Sequence, residues 1–440
     1  MNSTLELLLD EQRDAPLPQL THRDIRVPRL DSMATVLVGM RRVGKSYLLY
    51  QEMRRALELG VPRSSILSLN LEDDRLGTPG LEVLNDALEY LFRTGPDRHE
   101  HPGYLFLDEI QTVPGWEQFV VRVLNTENVR VYATGSSAKL LSTEIATGLR
   151  GRSTAVEVLP FSFREHLRHT DLEHLAAEPV GAAARSRLEA AFDEYLRVGG
   201  FPGVISMETI DRRRTLQDYV ELVTFRDVVE RWDAANLVAL KWLIGHLLST
   251  FSREFSVNRV YNDMKSQGIQ VGRDTLHAYL DHLVDARLLH TVSIRRASYR
   301  ARQINPRKVY AVDPGLAAAV AHPSADDTGH LLENTVYIEL RRRYSRLHDD
   351  VISYFSSEAG NADFVVDSHD GPVVIQVCST LQDTSTADRE IRGAVAAMVE
   401  CGTREATIVT LHEHDRLETE AGTIDVVPAW RWMLRDPGDV

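Results

Sequence analysis

The sequence predicts an α/β fold that begins with a parallel sheet covered by helices on both faces. Two observations carry this. Apolar, β-rich runs at 34–39, 66–70, 104–109, 129–135 and 154–160 alternate with segments of helical period, the pattern of a sheet buried on both faces. A glycine-rich turn, Gly39–Ser46, stands between the first of those strands and the first helix, where a phosphate-binding loop belongs.

Taken in order, residues 1–32 form a lead-in that ends in the short extended piece DIRVPRL, with Pro28 inside it. Residues 33–160 hold the strand–helix alternation: ATVLVG, a helix from Ser46, ILSLN, a helix through EVLNDALEYLF, YLFLDE, a helix through WEQFVVRVLN, VRVYATG and TAVEVLP. Residues 161–252 turn helical, interrupted by the Gly-rich step VGGFPG at 198–203. Residues 253–310 pattern as a helix-turn-helix unit, with NRVYNDMKSQG ending in a glycine stop, RDTLHAYLDHLVDARLL at helical spacing, and TVSIRR starting an extended wing. Residues 328–440 form a second α/β unit: a helix at ENTVYIELRRRYSRL, strands VISYFSS, ADFVV and VVIQVC, a helix over 387–402, the strand ATIVTL and a terminal helix near 428–435.

Composition narrows the functional classes. With 43% hydrophobic and 26% charged residues, the chain reads as globular, and no stretch approaches the roughly 20 apolar residues that span a bilayer. The N-terminus lacks a basic start and a long apolar run, so no signal peptide is expected. Two cysteines, Cys378 and Cys401, are too few for a disulfide framework or zinc cluster, and a reducing, cytoplasmic setting is expected. The net charge of −14 argues against wholesale electrostatic binding of nucleic acid.

Gly39-Met40-Arg41-Arg42-Val43-Gly44-Lys45-Ser46 fits G-x-x-x-x-G-K-[ST] between a strand and a helix, with Tyr47 next in the helix. Its glycines let backbone N–H groups wrap around phosphates, Lys45 is expected on the β/γ-phosphates, and Ser46 on Mg²⁺. The strand Leu105–Asp108 delivers Asp108 to its carboxyl end as a second Mg²⁺ ligand, and Glu109 beside it is the candidate general base. The additional strand at 66–70 favours ATP over GTP chemistry. Ser136, in Thr134-Gly-Ser136-Ser137, is a candidate γ-phosphate sensor or a plain helix cap. Arg150 and Arg152 are candidate arginine fingers, acting in their own subunit or in a neighbour, or solvated surface groups.

GMRRVGKS, FLDEIQ, TGSS with a following GR, LPFSFRE and GGFP, in that order, resemble a family of AAA-type ATPases of bacteria and archaea that bear a C-terminal domain of unknown function. The resemblance continues through FRDVVERW, KVYAVDPGL, ENTVYIEL and ADFVV…IQVC…REI. It implies ATP as the nucleotide, a winged-helix unit in the middle and a restriction-endonuclease-like C-terminal fold. It maps Lys45, Ser46, Asp108 and Glu109 onto the nucleotide site and Arg152 onto the Gly-Arg position.

Nucleases of that fold place a helix acid and a strand acid around Mg²⁺, with Glu-x-Lys on the next strand. Glu333 or Glu339 and Asp363 are the matching acids here, but the next strand reads Gln376-Val377-Cys378, without the carboxylate and without the ammonium. The C-terminal unit is therefore expected to be inactive as a nuclease. Between 287 and 308 stand seven basic residues (Arg287, Arg295, Arg296, Arg300, Arg302, Arg307 and Lys308) and no acid, a candidate DNA-contacting wing. The opposing expectation is a basic surface that pairs internally, and Asp274, Asp281 and Asp285 disfavour groove insertion of the helix over 273–286.

Together these features predict an Mg-dependent ATP-hydrolysing switch, acting through its accessory units on a protein partner or as a homo-oligomer. The alternatives are a DNA-binding regulator with ATP as ligand, or an ATP-dependent nuclease.

Overall fold

A computed structural model describes residues 3–30, 32–95, 102–136, 148–149, 151–296, 298, 306–321, 327–344 and 351–435. The chain divides into two compact units. The first runs to Leu159 and takes in Asp285–Arg287, and the second comprises Pro160–Val284 and the chain from Leu288 onward.

The first unit is built on five strands, β1 (Ala34–Gly39), β2 (Ile66–Asn70), β3 (Gly103–Asp108), β4 (Val129–Ser136) and β5 (Ser153–Glu157), in the order β2-β3-β4-β1-β5. All four pairings are parallel. Their near-continuous apolar sequences follow from burial on both faces. The strand at 66–70 lies at the sheet edge, and β4 is the strand inserted between β1 and β3. Val36, Val38, Leu105, Leu107, Val131 and Ala133 share one hydrophobic cluster with residues of the helices Leu81–Thr94 and Trp116–Thr126.

The lead-in is part of this core. Leu5 and Leu9 of the helix Ser3–Asp14 belong to the same cluster. Arg23 is buried: its guanidinium donates to the carbonyls of Val43 (3.1 Å) and Leu159 (2.6 Å), and its backbone exchanges hydrogen bonds with the Gln51 amide at 2.7 and 3.0 Å. Burial of a guanidinium is tolerable only with such partners.

In the second unit the helices Phe163–His169, Ala182–Val198, Thr209–Val223 and Leu237–Ser249 precede a three-stranded antiparallel sheet. The first of these helices opens with a capping box between Ser162 and Glu165. The small sheet holds β6 (Arg253–Phe255), β7 (Leu289–Val292) and β8 (Arg307–Ala311) in the order β6-β8-β7, with the helices Val257–Ser266 and Arg273–Asp285 between β6 and β7 in sequence. Beyond the long helix Thr328–Tyr344 lies a mixed sheet of β9 (Ile352–Ser356), β10 (Asn361–Ser368), β11 (Gly371–Val377), β12 (Glu405–Thr410), β13 (Asp415–Glu418) and β14 (Thr423–Pro428), ordered β13-β14-β12-β11-β10-β9. The helix Thr384–Cys401 makes the crossover between parallel β11 and β12. Cys378 and Cys401 are both free. Among the described residues no helix is long and apolar enough to cross a membrane.

The Gly-rich run at 198–203 is explained by close backbone approach. Gly199 has φ +76°, and a Cβ there would lie 2.0 Å from Asp313 Oδ1; a Cβ on Gly200 would lie 2.3 Å from the Phe161 carbonyl oxygen. The fully buried Asp313 accepts from the Gly200 N–H (2.7 Å) and the Leu316 N–H (2.9 Å), clasping this run to the segment 313–316. Gly200→Ala is expected to lower the unfolding free energy by about 2–4 kcal/mol, seen as a lower urea midpoint for the second unit. An unchanged midpoint would contradict the clasp.

Candidate nucleotide site

Strand alternation decides which side chains reach the loop. With Leu105, Leu107, Val131 and Ala133 committed to one face, Phe106, Asp108, Tyr132 and Thr134 point to the other. The Phe106 and Tyr132 rings stack at 4.8 Å, and Asp108 and Thr134 end the same column at the carboxyl edge of the sheet. The helix Lys45–Glu58 packs against β1 and β4, and its first turn brings Ser46 to hydrogen-bond the Asp108 carboxylate.

The loop conformation follows from its residues. Gly44 takes φ 97° as the residue before the helix, and Arg42 is also left-handed at φ 69°. Met40 and Val43 are buried and anchor the loop from below. Gly39 admits no side chain, since a Cβ would lie 2.3 Å from the Val158 carbonyl oxygen. Lys45, only 5% exposed, donates to the carbonyls of Gly39 (3.1 Å) and Met40 (3.2 Å), spanning the mouth of the loop. Arg41 lies 3.8 Å from Glu72 beyond β2, while Tyr47 is half exposed and meets Tyr50 edge-on.

Thr134 organises the acids. Its fully buried hydroxyl donates to Asp108 Oδ1 and accepts the Glu109 N–H at 3.0 Å. Glu109 itself sits at φ 55°, a left-handed backbone that a non-glycine residue adopts only where its surroundings enforce it. Its carboxylate accepts from the Gln111 amide. Burial pushes the Asp108 carboxyl above its ordinary range, opposed by the Ser46 and Thr134 hydrogen bonds; the neighbouring Glu109 charge adds to the rise and the Lys45 ammonium reduces it.

The remaining candidates fall as follows. Ser136 pairs in register with Gly39, which puts its backbone beside the loop, and its side chain lies outside the described residues, as do Ser137 and Arg150. Arg152 stands at the far end of the sheet: its carbonyl accepts the Ala34 N–H at 2.9 Å, at the start of β1. The length of β1, about 16 Å at the rise of a strand, separates it from the loop of its own chain, farther than an arginine side chain extends. Thr134, which the sequence presents only as one of several strand-end hydroxyls, is the residue that joins Asp108 to Glu109.

A sequence-family model described as an AAA domain matches residues 31–167. Over this span the chain is similar to AAA domains. A second family model, for a domain of unknown function, matches residues 189–327. An uncharacterised protein of Methanocaldococcus jannaschii is 29% identical over 437 residues, covering 98% of this chain and 94% of that protein. An uncharacterised protein of Haemophilus influenzae is 27% identical over 363 residues, covering 80% of this chain and 83% of that protein. Among solved structures, a Walker-type ATPase of Pyrococcus abyssi is similar at 17% identity and a TM-score of 0.42, covering 65% of this chain and 90% of that one.

Thr134→Val keeps the volume and removes the hydroxyl, leaving the Glu109 N–H without its acceptor. The first unit is expected to lose about 1–3 kcal/mol of stability in urea unfolding, with most of it recovered in Thr134→Ser. Equal loss in both variants would argue against the hydrogen bonds as the cause.

Proposed function

We propose that the chain binds Mg-ATP and hydrolyses it, and that nucleotide occupancy sets the state of a switch whose output is the second unit. The observation that supports this best is the convergence of Lys45, Ser46, Thr134 and Glu109 on Asp108 at the carboxyl edge of one sheet. Lys45 is assigned to the β/γ-phosphates, and Glu109 to orienting the attacking water and taking its proton. Ser46 and Asp108 would hold Mg²⁺: both offer hard oxygen donors, they already touch, and Asp108 carries a burial and like-charge penalty that a cation relieves. Bound with the nucleotide, Mg²⁺ supplies neutralisation of phosphate charge.

Given its place at the start of β5, Arg152 reaches a phosphate group only in a neighbouring copy. The accessory role is assigned to protein contact. In the second unit the order helix, β6, helix, helix, β7, β8 supports reading this part as a winged-helix unit. The basic segment, however, is largely spent internally. Arg287 pairs with Glu157 (3.4 Å), Arg295 with Asp367 (2.8 Å), and Lys308 with Glu333 and Asp363, while Arg296 donates to the Ser356 carbonyl at 3.0 Å. Arg300 and Arg302 lie outside the described residues. These pairings leave the DNA-regulator alternative with little of the basic surface that motivates it.

The test is phosphate release from ATP, with and without DNA, over a range of protein concentrations. Glu109→Gln is expected to lower turnover by about 100-fold or more while still binding nucleotide, and Lys45→Ala to lose binding. Turnover equal to the parent in both variants would end the proposal. Mixing Arg152→Ala with Lys45→Ala is expected to restore activity, since the second variant lends Arg152 to the intact loop of the first. An inactive mixture would assign Arg152 to the solvated surface.

A further inference from the structure

A cleft of about 740 Å³ opens in the second unit, lined among others by Lys308, Glu333, Asp363, Gln376, Cys378 and Glu390. It is where the sequence resemblance implies a metal-dependent nuclease centre, with Glu333 as helix acid and Asp363 as strand acid. The side chains present do not fit that metal. Lys308, from the central strand of the three-stranded sheet, places its ammonium 2.8 Å from Glu333 Oε1 and 2.8 Å from Asp363 Oδ1. That is the gap a cation shared by the two acids would need.

Further hydrogen bonds engage the same two acids. Glu333 Oε1 also accepts from the fully buried Tyr310 hydroxyl at 2.8 Å, and Asp363 Oδ2 accepts the Val377 N–H at 3.0 Å. Gln376 holds its carbonyl oxygen on the Asp363 N–H (3.0 Å), so its amide N–H turns to Glu390, whose other oxygen is paired with Arg389. Among the described residues no group of three or more His, Cys, Asp or Glu side chains is arranged to hold a metal ion. Burial disfavours the Lys308 ammonium, but Asp363 and Glu333 more than reverse this and keep it charged.

We propose that Lys308 is a built-in counter-cation that takes the place of the divalent metal, making this cleft a metal-free ion cluster that fastens the three-stranded sheet to the long helix Thr328–Tyr344 and to β10. The sequence departures at Gln376 and Cys378 then have a partner change: the lost strand lysine is answered by an ammonium from another sheet, in the metal's position and not beside it. The fastening is reinforced by Asn334, whose amide exchanges hydrogen bonds with the Ala311 backbone at 2.8 and 3.0 Å.

The test is Mn²⁺ binding to the nucleotide-free full chain, followed by the electron paramagnetic resonance of free Mn²⁺, with plasmid cleavage assayed in parallel. All proteins carry Asp108→Asn, so that the nucleotide site does not contribute. The chain with Lys308 intact is expected to bind no Mn²⁺ at the cleft and to leave plasmid uncut. Lys308→Met is expected to gain a site at least about tenfold tighter than any in the parent, which Asp363→Asn then removes, whereas Lys308→Arg gains none. Mn²⁺ binding or cleavage that depends on Asp363 while Lys308 is present would overturn the proposal, as would a folded Lys308→Met that gains no site. If Lys308→Met does not fold, Lys308→Met/Asp363→Asn, which removes one charge of each sign, is expected to regain stability. Failure to regain it would equally overturn the counter-ion role.

Discussion

The nucleotide site depends on strand parity. In a parallel sheet each strand shows alternate residues to each face, and Asp108 and Thr134 fall on the face of the helix Lys45–Glu58 because Leu107 and Ala133 fall on the other. A one-residue slip in either strand would turn the acid or the hydroxyl into the cluster of aliphatic side chains on the opposite side. The insertion of β4 between β1 and β3 matters for the same reason. It brings the Thr134 hydroxyl within reach of Asp108 and of the strained Glu109 backbone at once. A hydroxyl that both donates and accepts can tie the Asp108 carboxylate to the Glu109 backbone at once.

The chain manages buried carboxylates in two different ways. Around the P-loop the positive charge is under-supplied: Lys45 is turned to the carbonyls of Gly39 and Met40, and Asp108 is raised by burial and by Glu109. The Mg²⁺ proposed for this site would supply the missing charge. In the cleft of the second unit the positive charge is covalently part of the chain, since Lys308 touches both Glu333 and Asp363. A lysine held at 2.8 Å by two acids leaves little electrostatic incentive for a divalent ion to displace it. The same residue types thus give an open site in one place and a closed one in the other, and the difference is the origin of the counter-charge.

Much of the first unit was legible from residues alone because its strands are buried on both faces and read as unbroken apolar runs. The limits of β1 and β2 coincide with the apolar segments at 34–39 and 66–70. The charged strand β13, Asp-Arg-Leu-Glu, carries no such signal, as it is an exposed edge whose hydrogen bonds with β14 do not depend on apolar side chains. Thr134 was visible only as a strand-end hydroxyl, since its two partners come from another strand. Lys308 was misleading in a more instructive way. Counted in sequence it belongs to a basic stretch suited to phosphates, and only the pairing of β8 with its neighbours and the packing of the helix Thr328–Tyr344 show that its charge faces inward. Linear charge density says nothing about which face of a strand the charge occupies.

Several of the runs that support the family resemblance outside the P-loop serve backbone geometry, not chemistry. GGFP and VDPGL meet where Asp313 accepts the N–H groups of Gly200 and Leu316, and neither Gly199 nor Gly200 has room for a Cβ. The Ser162 and Glu165 of LPFSFRE cap a helix, and the Asn334 of ENTVYIEL replaces a strand partner for Ala311. Each joins segments far apart in sequence through hydrogen bonds to buried backbone, which are costly to leave unmade. The three-stranded sheet is therefore tied at separate points to the helix Ala182–Val198, through the Asp313 clasp that follows β8, and to the helix Thr328–Tyr344, through Asn334 and Lys308. Any rearrangement of this unit has to carry these elements together, because moving one of them alone would break a buried clasp or expose an unpaired charge.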